Sequence, residues 1–487
     1  MGARPDDSSD HRNWLVGANF IDGEWVDGTG ESIDVVNPFT GKTVGQVPNF
    51  GGPETRAAIA AADHVFSAWS SRPAQDRAEI LHCLAALIRD HRENLARLIT
   101  IEQGKPLAEA RGEITASAAY IQWFAEEARR IYGDVIPATA PGRQLLVVRE
   151  AVGVVGCITP WNFPSLIVAR KLGPALATGC TVVLKPSEFT PFSALALGRL
   201  AAEAGVPPGV VNIVTGDAQS IGDALIESDV VRKISFTGST AIGRMLAERA
   251  GRALKRVSLE LGGNAPFIVF DDADLDRAIE GAMVSKFRNA GQTCVCTNRF
   301  FVQAGIHDAF VDRFKSAIAK LRLGDGLAAD TTLGPLINAS AVSKYVAHVE
   351  DAVAKGATLA QGEMPRPNGC LVEPVLLTGC DGSMRLAREE TFAPLAAVYR
   401  FETLEEVEEL ANDGGAGLVA YAYTRDMGRA FRLSRTLKFG QVGLNEGLIT
   451  TEVAPFGGVK DSGSGREGSK YGCDDYTDLK YVCLGGL

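Results

Sequence analysis

Three short segments of the sequence carry side chains that can act together on a carbonyl group. Cys294 ends the segment GQTC, a polar break with a glycine that exposes a thiol more than a hydrophobic core does. Glu260 opens the segment ELGG, and Asn162 lies in PWNFP. A thiolate adds to a carbonyl carbon, a carboxylate takes a proton or activates water, and an amide donates to a developing oxyanion. These residue types predict covalent catalysis by a cysteine.

Each of the three residues also has a plain structural interpretation. A cysteine in a polar loop can be a passive surface thiol, and a glutamate at a strand end can face solvent. The asparagine can form an Asx turn before a helix that starts with proline. Taken singly, the segments leave both interpretations open.

Two further segments have the composition of nucleotide sites. In FTGST (236–240), Gly238 allows close approach of a ligand and Ser239 can cap the next helix, where a pyrophosphate binds. In KPSE (185–188), Lys185 can hold ribose or phosphate, and Glu188 can accept from both ribose hydroxyls and repels a 2′-phosphate. An ordinary helix cap and a solvated loop remain the alternatives. With the thiol, these segments predict aldehyde oxidation with NAD preferred and NADP as the alternative.

One segment near the C-terminus has the glycine spacing of a nucleotide-binding motif but not its flanking pattern. The segment GSGREG (463–468) has the spacing G-x-G-x-x-G, but no buried strand precedes it and no apolar helix follows. We therefore interpret it as a flexible turn and not as a nucleotide site.

The segments that must position these residues alternate between strand and helix patterns. From residue 153, β-rich runs (GVVGCI, TVVLK, VVNIVTG, KISFTG, RVSLEL) are separated by helical stretches such as PFSALALGRLAAEAG. A second alternating block begins with PFIVF and a helix over 275–287. This pattern predicts right-handed βαβ units and two α/β domains with parallel sheets. Before them, apolar residues at three- and four-residue intervals predict one amphipathic helix over 78–100.

Composition excludes several classes of protein. The chain has 487 residues with 49 Lys+Arg against 59 Asp+Glu, a net charge of -10 that argues against a nucleic-acid partner. No apolar run has the length of a membrane span, and the acidic N-terminal residues do not resemble a signal peptide, so we expect a cytoplasmic protein without a membrane partner. The chain has nine cysteines, and because this number is odd they cannot all be paired in a disulfide framework. The pair in CVC (294–296) lacks a second ligand pair, so we expect no metal.

The order of the motifs resembles that of the aldehyde dehydrogenase superfamily over nearly the whole chain. The motifs are PWNFP (160–164), KPSE (185–188), FTGST (236–240), ELGG (260–263), GQTC (291–294), EETFAP (389–394) and PFGG (455–458). The resemblance implies a Rossmann-like cofactor domain (1–131 and 151–262), an α/β catalytic domain (263–460) and a small β oligomerisation element (132–150 and 461–487). It also implies a homo-oligomer, a dimer or a tetramer. The β-prone segments of the oligomerisation element are expected to pair between subunits.

The resemblance assigns a role to each motif. Cys294 matches the nucleophile and Glu260 the general base, while Asn162 and the Cys294 backbone N–H match the oxyanion hole. The positions that match cofactor contacts in the family are Trp161, Lys185, Glu188, Gly238, Ser239, Leu261, Glu390 and Phe392.

Within the superfamily, the chain is most similar to succinate-semialdehyde dehydrogenases, through stretches such as SKFRNAGQTCVC and GREGSKYG. That substrate ends in a carboxylate, for which a guanidinium is a suitable partner. Arg170 and Arg288 match the arginines that hold it, although helix arginines are more often solvated. Thr450 stands where a serine is expected, and its methyl group narrows the pocket. Glutarate semialdehyde or another aldehyde is therefore the alternative.

Three further hypotheses remain open. Cys296 resembles the second cysteine of a redox switch, but a bridge to Cys294 requires a bent loop, and a passive cysteine is equally compatible. A cysteine hydrolase would need no cofactor, and a protein with this fold could also lack catalysis altogether.

Overall fold

The computed structural model describes residues 11–28 and 30–486. Its strands are β1 (Asn19–Ile21), β2 (Glu24–Val26), β3 (Ser32–Val36), β4 (Thr43–Pro48), β5 (Asp134–Ile136), β6 (Arg143–Ala151), β7 (Val154–Ile158), β8 (Thr181–Lys185), β9 (Val211–Ile213), β10 (Val231–Thr237), β11 (Arg256–Glu260), β12 (Ala265–Val269), β13 (Thr297–Gln303), β14 (Thr358–Gln361), β15 (Val375–Thr378), β16 (Leu395–Phe401), β17 (Val419–Tyr423), β18 (Gln441–Leu444), β19 (Gly463–Ser464) and β20 (Thr477–Gly485).

The α-helices follow the same chain order. They are α1 (Gly52–Ser70), α2 (Ala74–Asp90), α3 (Arg92–Gln103), α4 (Leu107–Ala128), α5 (Leu166–Thr178), α6 (Pro191–Glu203), α7 (Ala218–Glu227), α8 (Thr240–Arg252), α9 (Leu275–Phe287), α10 (His307–Ile318), α11 (Ala339–Ala354), α12 (Arg385–Arg388), α13 (Leu404–Asn412) and α14 (Met427–Thr436). No helix in the described part of the chain is long and apolar enough to cross a membrane.

Two large sheets organise the fold. The first has the order β19-β11-β10-β7-β8-β9-β1-β2, and its central strands β11, β10, β7, β8 and β9 run parallel. The second has the order β14-β15-β16-β13-β12-β17-β18 and is parallel except at β14. The predicted α/β fold class is confirmed. The domain boundaries remain a prediction.

Helices cover both faces of the first sheet because its strands are apolar on both sides. Val155 and Val182 are packed in a core with residues of α2 to α6, while Val154 and Val183 point to the opposite face and pack with α1, α7 and α8. The alternation along each strand therefore explains the two helical layers.

The predicted single helix over 78–100 is wrong in one respect. α2 ends at Asp90 and α3 begins at Arg92, so the chain bends at His91. The bend keeps the hydrogen bonds from His91 N to Leu87 O and from Leu95 N to His91 O, and the His91 ring packs 4.9 Å from that of Trp14. The three- and four-residue spacing of apolar residues continues through the bend, so this spacing could not show that the helix is interrupted at His91.

The predicted oligomerisation element forms a separate sheet, β20-β6-β5. β20 pairs with β6 from Thr477 opposite Ala151 to Gly485 opposite Arg143, within one chain. Leu479 is 66% exposed and Tyr481 60%. β19 lies outside this sheet, although the predicted division placed residues 461–487 in one element: it pairs with β11 of the first sheet.

Candidate active site

A cavity of about 450 Å³ lies beyond the carboxyl ends of the first sheet, against helix α11 and loops that connect to strands of the second sheet. This is where parallel α/β sheets bind ligands. The cavity brings together residues from five of the predicted motifs: Trp161, Asn162, Gly238, Ser239, Glu260, Leu261, Cys294, Glu390 and Phe392. The remaining predicted residues, Lys185, Glu188, Arg170, Arg288, Thr450 and Cys296, lie outside its lining.

Cys294 is presented by a loop with an unusual backbone. Asn289, Ala290 and Gly291 have φ of 52°, 54° and 74°, which places three consecutive residues in the left-handed region. The Cys294 carbonyl oxygen is 2.3 Å from where a side-chain carbon of Gly263 would lie, so the ELGG segment needs glycine there. Burial raises the pKa of Cys294 to about 12, although Arg170 acts in the opposite direction. The thiol therefore needs a base to become nucleophilic.

Glu260 lies at the end of β11, opposite Thr237 of β10. Its Oε2 has no hydrogen-bond partner among residues 11–28 and 30–486. Burial and the charge of Glu467 raise its pKa well above the usual value, while Lys171 and Arg170 act against this rise. A buried carboxylate with a free oxygen beside the cavity is suited to exchange protons with a ligand or water.

Glu467 and Lys171 are site residues that the sequence interpretation missed. Lys171 Nζ donates to Glu467 Oε1 at 3.0 Å and to Ser235 Oγ at 3.0 Å, and both charged side chains are buried. Arg170 Nη1 lies 3.7 Å from Glu467 Oε2. Two cations and two carboxylates thus form one buried cluster behind the cavity. In the sequence, the one signal that could have pointed to this cluster is Glu467, a charged residue inside the glycine-rich segment GSGREG.

The interpretation of 463–468 as a flexible turn is wrong. β19 pairs with Leu259 and Glu260 of β11, and Phe456 and Glu467 exchange two backbone hydrogen bonds of 2.7 Å. Gly463 has φ of 114°, and a side-chain carbon there would lie 1.9 Å from the Leu259 carbonyl oxygen. The glycines of this segment therefore serve close packing of the chain and not nucleotide binding.

Asn162 is buried in the loop after β7, facing the Cys294 loop. Its Nδ2 donates to the Gln292 carbonyl oxygen at 3.1 Å, and its Oδ1 has no partner in the part of the chain that the structure describes. An amide nitrogen carries two hydrogens. One of them therefore remains for an oxyanion in the cavity.

The FTGST segment is built as a helix N-terminus beside the cavity. Gly238 N donates to the Glu260 carbonyl at 3.0 Å, and Ser239 Oγ accepts from Ile242 N at 3.4 Å as the N-cap of α8. A side-chain carbon at Gly243 would lie 2.3 Å from Leu261, so α8 packs closely on the ELGG segment. This end of α8 is open to an anion such as a pyrophosphate.

Of the other predicted cofactor residues, Trp161, Glu390 and Phe392 line the cavity, whereas Lys185 and Glu188 lie outside its lining. Lys185 Nζ is 3.2 Å from Glu188 Oε2, and the side chain of Glu188 is 43% exposed. Glu390 Oε1 accepts from Gly263 N at 3.1 Å, and burial raises the pKa of Glu390 to about 7. The rings of Trp161 and Phe392 meet edge to face at 5.7 Å. The chemistry of these groups is compatible with a dinucleotide, because a helix N-terminus can accept an anion and two aromatic rings can form an apolar wall.

Arg170 is a buried arginine with one donor left unpaired within the described chain. It is buried, and its guanidinium carbon lies 4.2 Å from the Phe456 ring centroid and 4.9 Å from that of Tyr120. Its Nε has no hydrogen-bond partner among the described residues, and its ion pair with Glu467 is long at 3.7 Å. A buried guanidinium with an unused donor is costly unless a ligand occupies it.

Arg288, Thr450 and Cys296 have different surroundings. The half-buried Arg288 lies with its guanidinium carbon 5.2 Å from the Phe163 ring centroid. Thr450 is half-buried in the loop after β18. Cys296 is buried and receives a hydrogen bond from Lys286 Nζ at 3.4 Å. Both Cys294 and Cys296 are free thiols in this structure.

Comparison with known proteins agrees with this geometry. The aldehyde dehydrogenase family matches residues 25–482. The chain is 54% identical over 470 residues to the glutarate-semialdehyde dehydrogenase of Pseudomonas aeruginosa, covering 96% of this chain and 97% of the relative. It is 54% identical over 467 residues to the NADP+-dependent succinate-semialdehyde dehydrogenase of Escherichia coli K12, with the same coverage.

Two further similarities bear on the site and the fold. The 3-sulfolactaldehyde dehydrogenase of Pseudomonas putida is 52% identical over 470 residues, covering 96% of this chain and 97% of the relative. The crystal structure of an NADP-dependent enzyme from E. coli superposes with a TM-score of 0.97 at 52% identity, covering 99% of this chain and all of that one.

The chain belongs to the aldehyde dehydrogenase family. It is an oxidoreductase of a family that uses NAD or NADP to oxidise aldehydes, which favours this class over a cysteine hydrolase.

Proposed function

We propose that this enzyme oxidises an aldehyde that carries an acid group at its other end. Succinate semialdehyde is the first candidate and glutarate semialdehyde the second. The observation that carries the proposal is Arg170, a buried guanidinium with an unused Nε and a long ion pair, within the electrostatic reach of Cys294. Arg170 lies behind the cavity lining, so a substrate whose carboxylate extends past Cys294 to this guanidinium would complete its hydrogen bonding.

The similar proteins support an acid group in the substrate. Glutarate semialdehyde, succinate semialdehyde and 3-sulfolactaldehyde, after which the three relatives are named, all carry an anionic group. Arg288 lies near Phe163 of the PWNFP loop and would be a second cation for the acid. Thr450 follows the Leu448–Ile449 pair and would bound the pocket at the acid end. The length of the substrate depends on this boundary.

The chemistry proceeds in two stages at Cys294. Glu260 takes the thiol proton, the sulfur bonds to the aldehyde carbon, and the Asn162 amide and the Cys294 backbone N–H donate to the oxygen. NAD(P)+ supplies the hydride acceptor when bound, which leaves a thioester on Cys294. Glu260 passes the thiol proton to solvent and then takes a proton from water, whose oxygen bonds to the thioester carbon. The carbon–sulfur bond breaks, the acid leaves, and the Cys294 sulfur takes the proton back from Glu260.

The cofactor would lie along the walls formed by Trp161, Leu261 and Phe392. The N-terminus of α8, with Gly238 and Ser239, would hold the pyrophosphate, and Glu390 would contact the nicotinamide half. Lys185 and Glu188 would bind the adenosine ribose. Because the Glu188 carboxylate repels a 2′-phosphate, we propose that NAD is preferred to NADP.

The subunits would assemble into a homodimer or homotetramer through the sheet β20-β6-β5. The exposure of Leu479 and Tyr481 supports this assembly, since large exposed apolar side chains on one face of a sheet often mark a contact surface. Sedimentation velocity on the purified protein, with a Leu479→Lys variant, tests this assembly. A monomeric wild-type protein would contradict it.

Parallel initial-rate measurements test the proposed substrate and cofactor. Succinate semialdehyde, glutarate semialdehyde and butanal, a neutral aldehyde of four carbons, are each assayed with NAD and with NADP. We expect kcat/KM to be highest for one of the two acids with NAD. Equal values for butanal and for both acids would contradict the acid-binding role of Arg170. A thioacyl adduct on Cys294, identified by mass spectrometry, tests the nucleophile.

A further inference from the structure

A buried ion pair lies behind the loop that carries Asn162. Lys105, in the link between α3 and α4, has its Nζ 2.6 Å from Glu113 Oε2 of α4, and the two side chains are 0% and 1% exposed. Neither residue lines the cavity that holds Cys294 and Glu260. No motif in the sequence singled them out.

The ion pair binds the Asn162 loop at both of its ends. Lys105 Nζ donates to the carbonyl oxygen of Asn162 at 2.6 Å. The Oε1 of Glu113 accepts from Ser165 N at 2.9 Å and from Leu166 N at 3.2 Å, where α5 begins. The backbone from 162 to 166 is therefore fixed by one residue of each charge.

The same carbonyl oxygen connects this loop to the Cys294 loop. Asn289 Nδ2 donates to the Asn162 oxygen at 3.0 Å and to the Gln292 oxygen at 3.2 Å. Gln103 and Glu109 bind Asn289 in turn, through its Oδ1 at 2.9 Å and its backbone N–H at 2.7 Å. The left-handed backbone of Asn289 is thus held by residues next to Lys105 in the chain.

Stability alone is a weak reason for this arrangement. Burying two charges costs desolvation that their attraction only partly offsets, and buried ion pairs contribute little net stability. Burial lowers the pKa of Lys105, while Glu113 opposes that change. An ammonium does, however, fix a carbonyl more strongly than a neutral donor would.

We propose that Lys105, with Glu113 as its counter-ion, is a positioning residue that holds the Asn162 amide where the oxyanion develops. This inference rests on the proposed role of Asn162. Removing one oxyanion donor lowers kcat by about 10² to 10³. If the Asn162 amide is displaced and not removed, kcat loses only part of this factor. We therefore expect Lys105→Met to lower kcat about tenfold or more, up to the loss measured for Asn162→Ala.

The decisive measurement is a double-mutant cycle of Lys105→Met and Asn162→Ala, with kcat measured for the best aldehyde of the panel above. If Lys105 acts through Asn162, Lys105→Met changes kcat less than twofold in the Asn162→Ala background. Equal losses in both backgrounds would overturn the inference and leave the proposed function intact. Full activity of Asn162→Ala would overturn the role of Asn162 and the inference with it.

Three controls separate positioning from damage to the fold. Alkylation of Cys294 by iodoacetamide forms no oxyanion, so its rate should stay within twofold in Lys105→Met, and a loss equal to that in kcat would refute the inference. Lys105→Arg, which keeps a cationic donor, should recover part of kcat. Lys233→Met removes an equally buried lysine that bonds to Ser258 of β11 and to neither loop, and it should change kcat less than twofold.

A second variant keeps the test decisive if Lys105→Met does not fold. Removing one member of a buried pair leaves an unpaired charge, whereas removing both does not. Lys105→Met combined with Glu113→Gln should therefore fold, with kcat reduced about tenfold or more and the dissociation constant of NADH unchanged. Wild-type kcat in this folded double variant would overturn the inference.

Discussion

Replacing Arg170 with methionine is the most informative change for the substrate. Methionine is an unbranched apolar side chain that reaches about as far as the arginine Nε, and it can pack against the Tyr120 and Phe456 rings, which lie 4.9 and 4.2 Å from the guanidinium carbon. Glu467 keeps its partner Lys171 at 3.0 Å, so no carboxylate is left without a cation. We therefore expect the variant to fold.

The expected loss follows from the missing hydrogen bonds. A hydrogen bond to a charged group contributes about 1.5 to 3 kcal/mol, which corresponds to about 10- to 150-fold in kcat/KM for an acid substrate. Arg170 also lowers the pKa of Cys294, against the effect of burial. Loss of Arg170 should therefore slow the oxidation of every aldehyde to some degree. The ratio of kcat/KM for succinate semialdehyde to that for butanal cancels this common effect.

The assay is therefore the ratio of the two kcat/KM values, measured by NADH absorbance in wild type, Arg170→Met and Arg322→Ala. Arg322, paired with Asp330 on the surface at 67% side-chain exposure, is the matched control and should leave the ratio unchanged. A fall of the ratio by about tenfold or more in Arg170→Met is expected. An unchanged ratio, with both substrates slowed equally, would refute the acid-binding role.

Three further predictions follow from the same structure. Glu188→Ser removes the charge facing the ribose and should raise kcat/KM with NADP relative to NAD; no change in that ratio contradicts the role of Glu188. If Cys296 bridges to Cys294, peroxide should inactivate the wild type reversibly, and Cys296→Ala should show no loss that dithiothreitol restores. Burial raises the pKa of Glu102 to about 8, so its proton stabilises the fold and is lost as pH rises through that value. The Tm should therefore fall as the pH rises from about 5 to about 8, and it should fall less steeply in Glu102→Gln. Identical slopes in the two proteins would contradict this role of Glu102.

The sequence was most informative where function lies at the ends of strands. Gly238, Ser239, Glu260 and Leu261 follow apolar runs whose strand character is local, and parallel strands must bring those ends to one edge. The structure places all four at the cavity. Arg170 and Arg288 could be proposed only through the family resemblance, because an arginine on a helix does not itself reveal burial.

What the sequence by itself determined is the order of strands and helices, the α/β class and the motifs that line the cavity, since these depend on local spacing and composition. Tertiary structure alone decided the charges behind the cavity. Lys171 meets Glu467 across 296 residues of chain, and Lys105 meets the Asn162 carbonyl across 57. Which ionic side chains are buried and paired depends on how distant segments pack, because a charge is stable inside a protein only beside its partners.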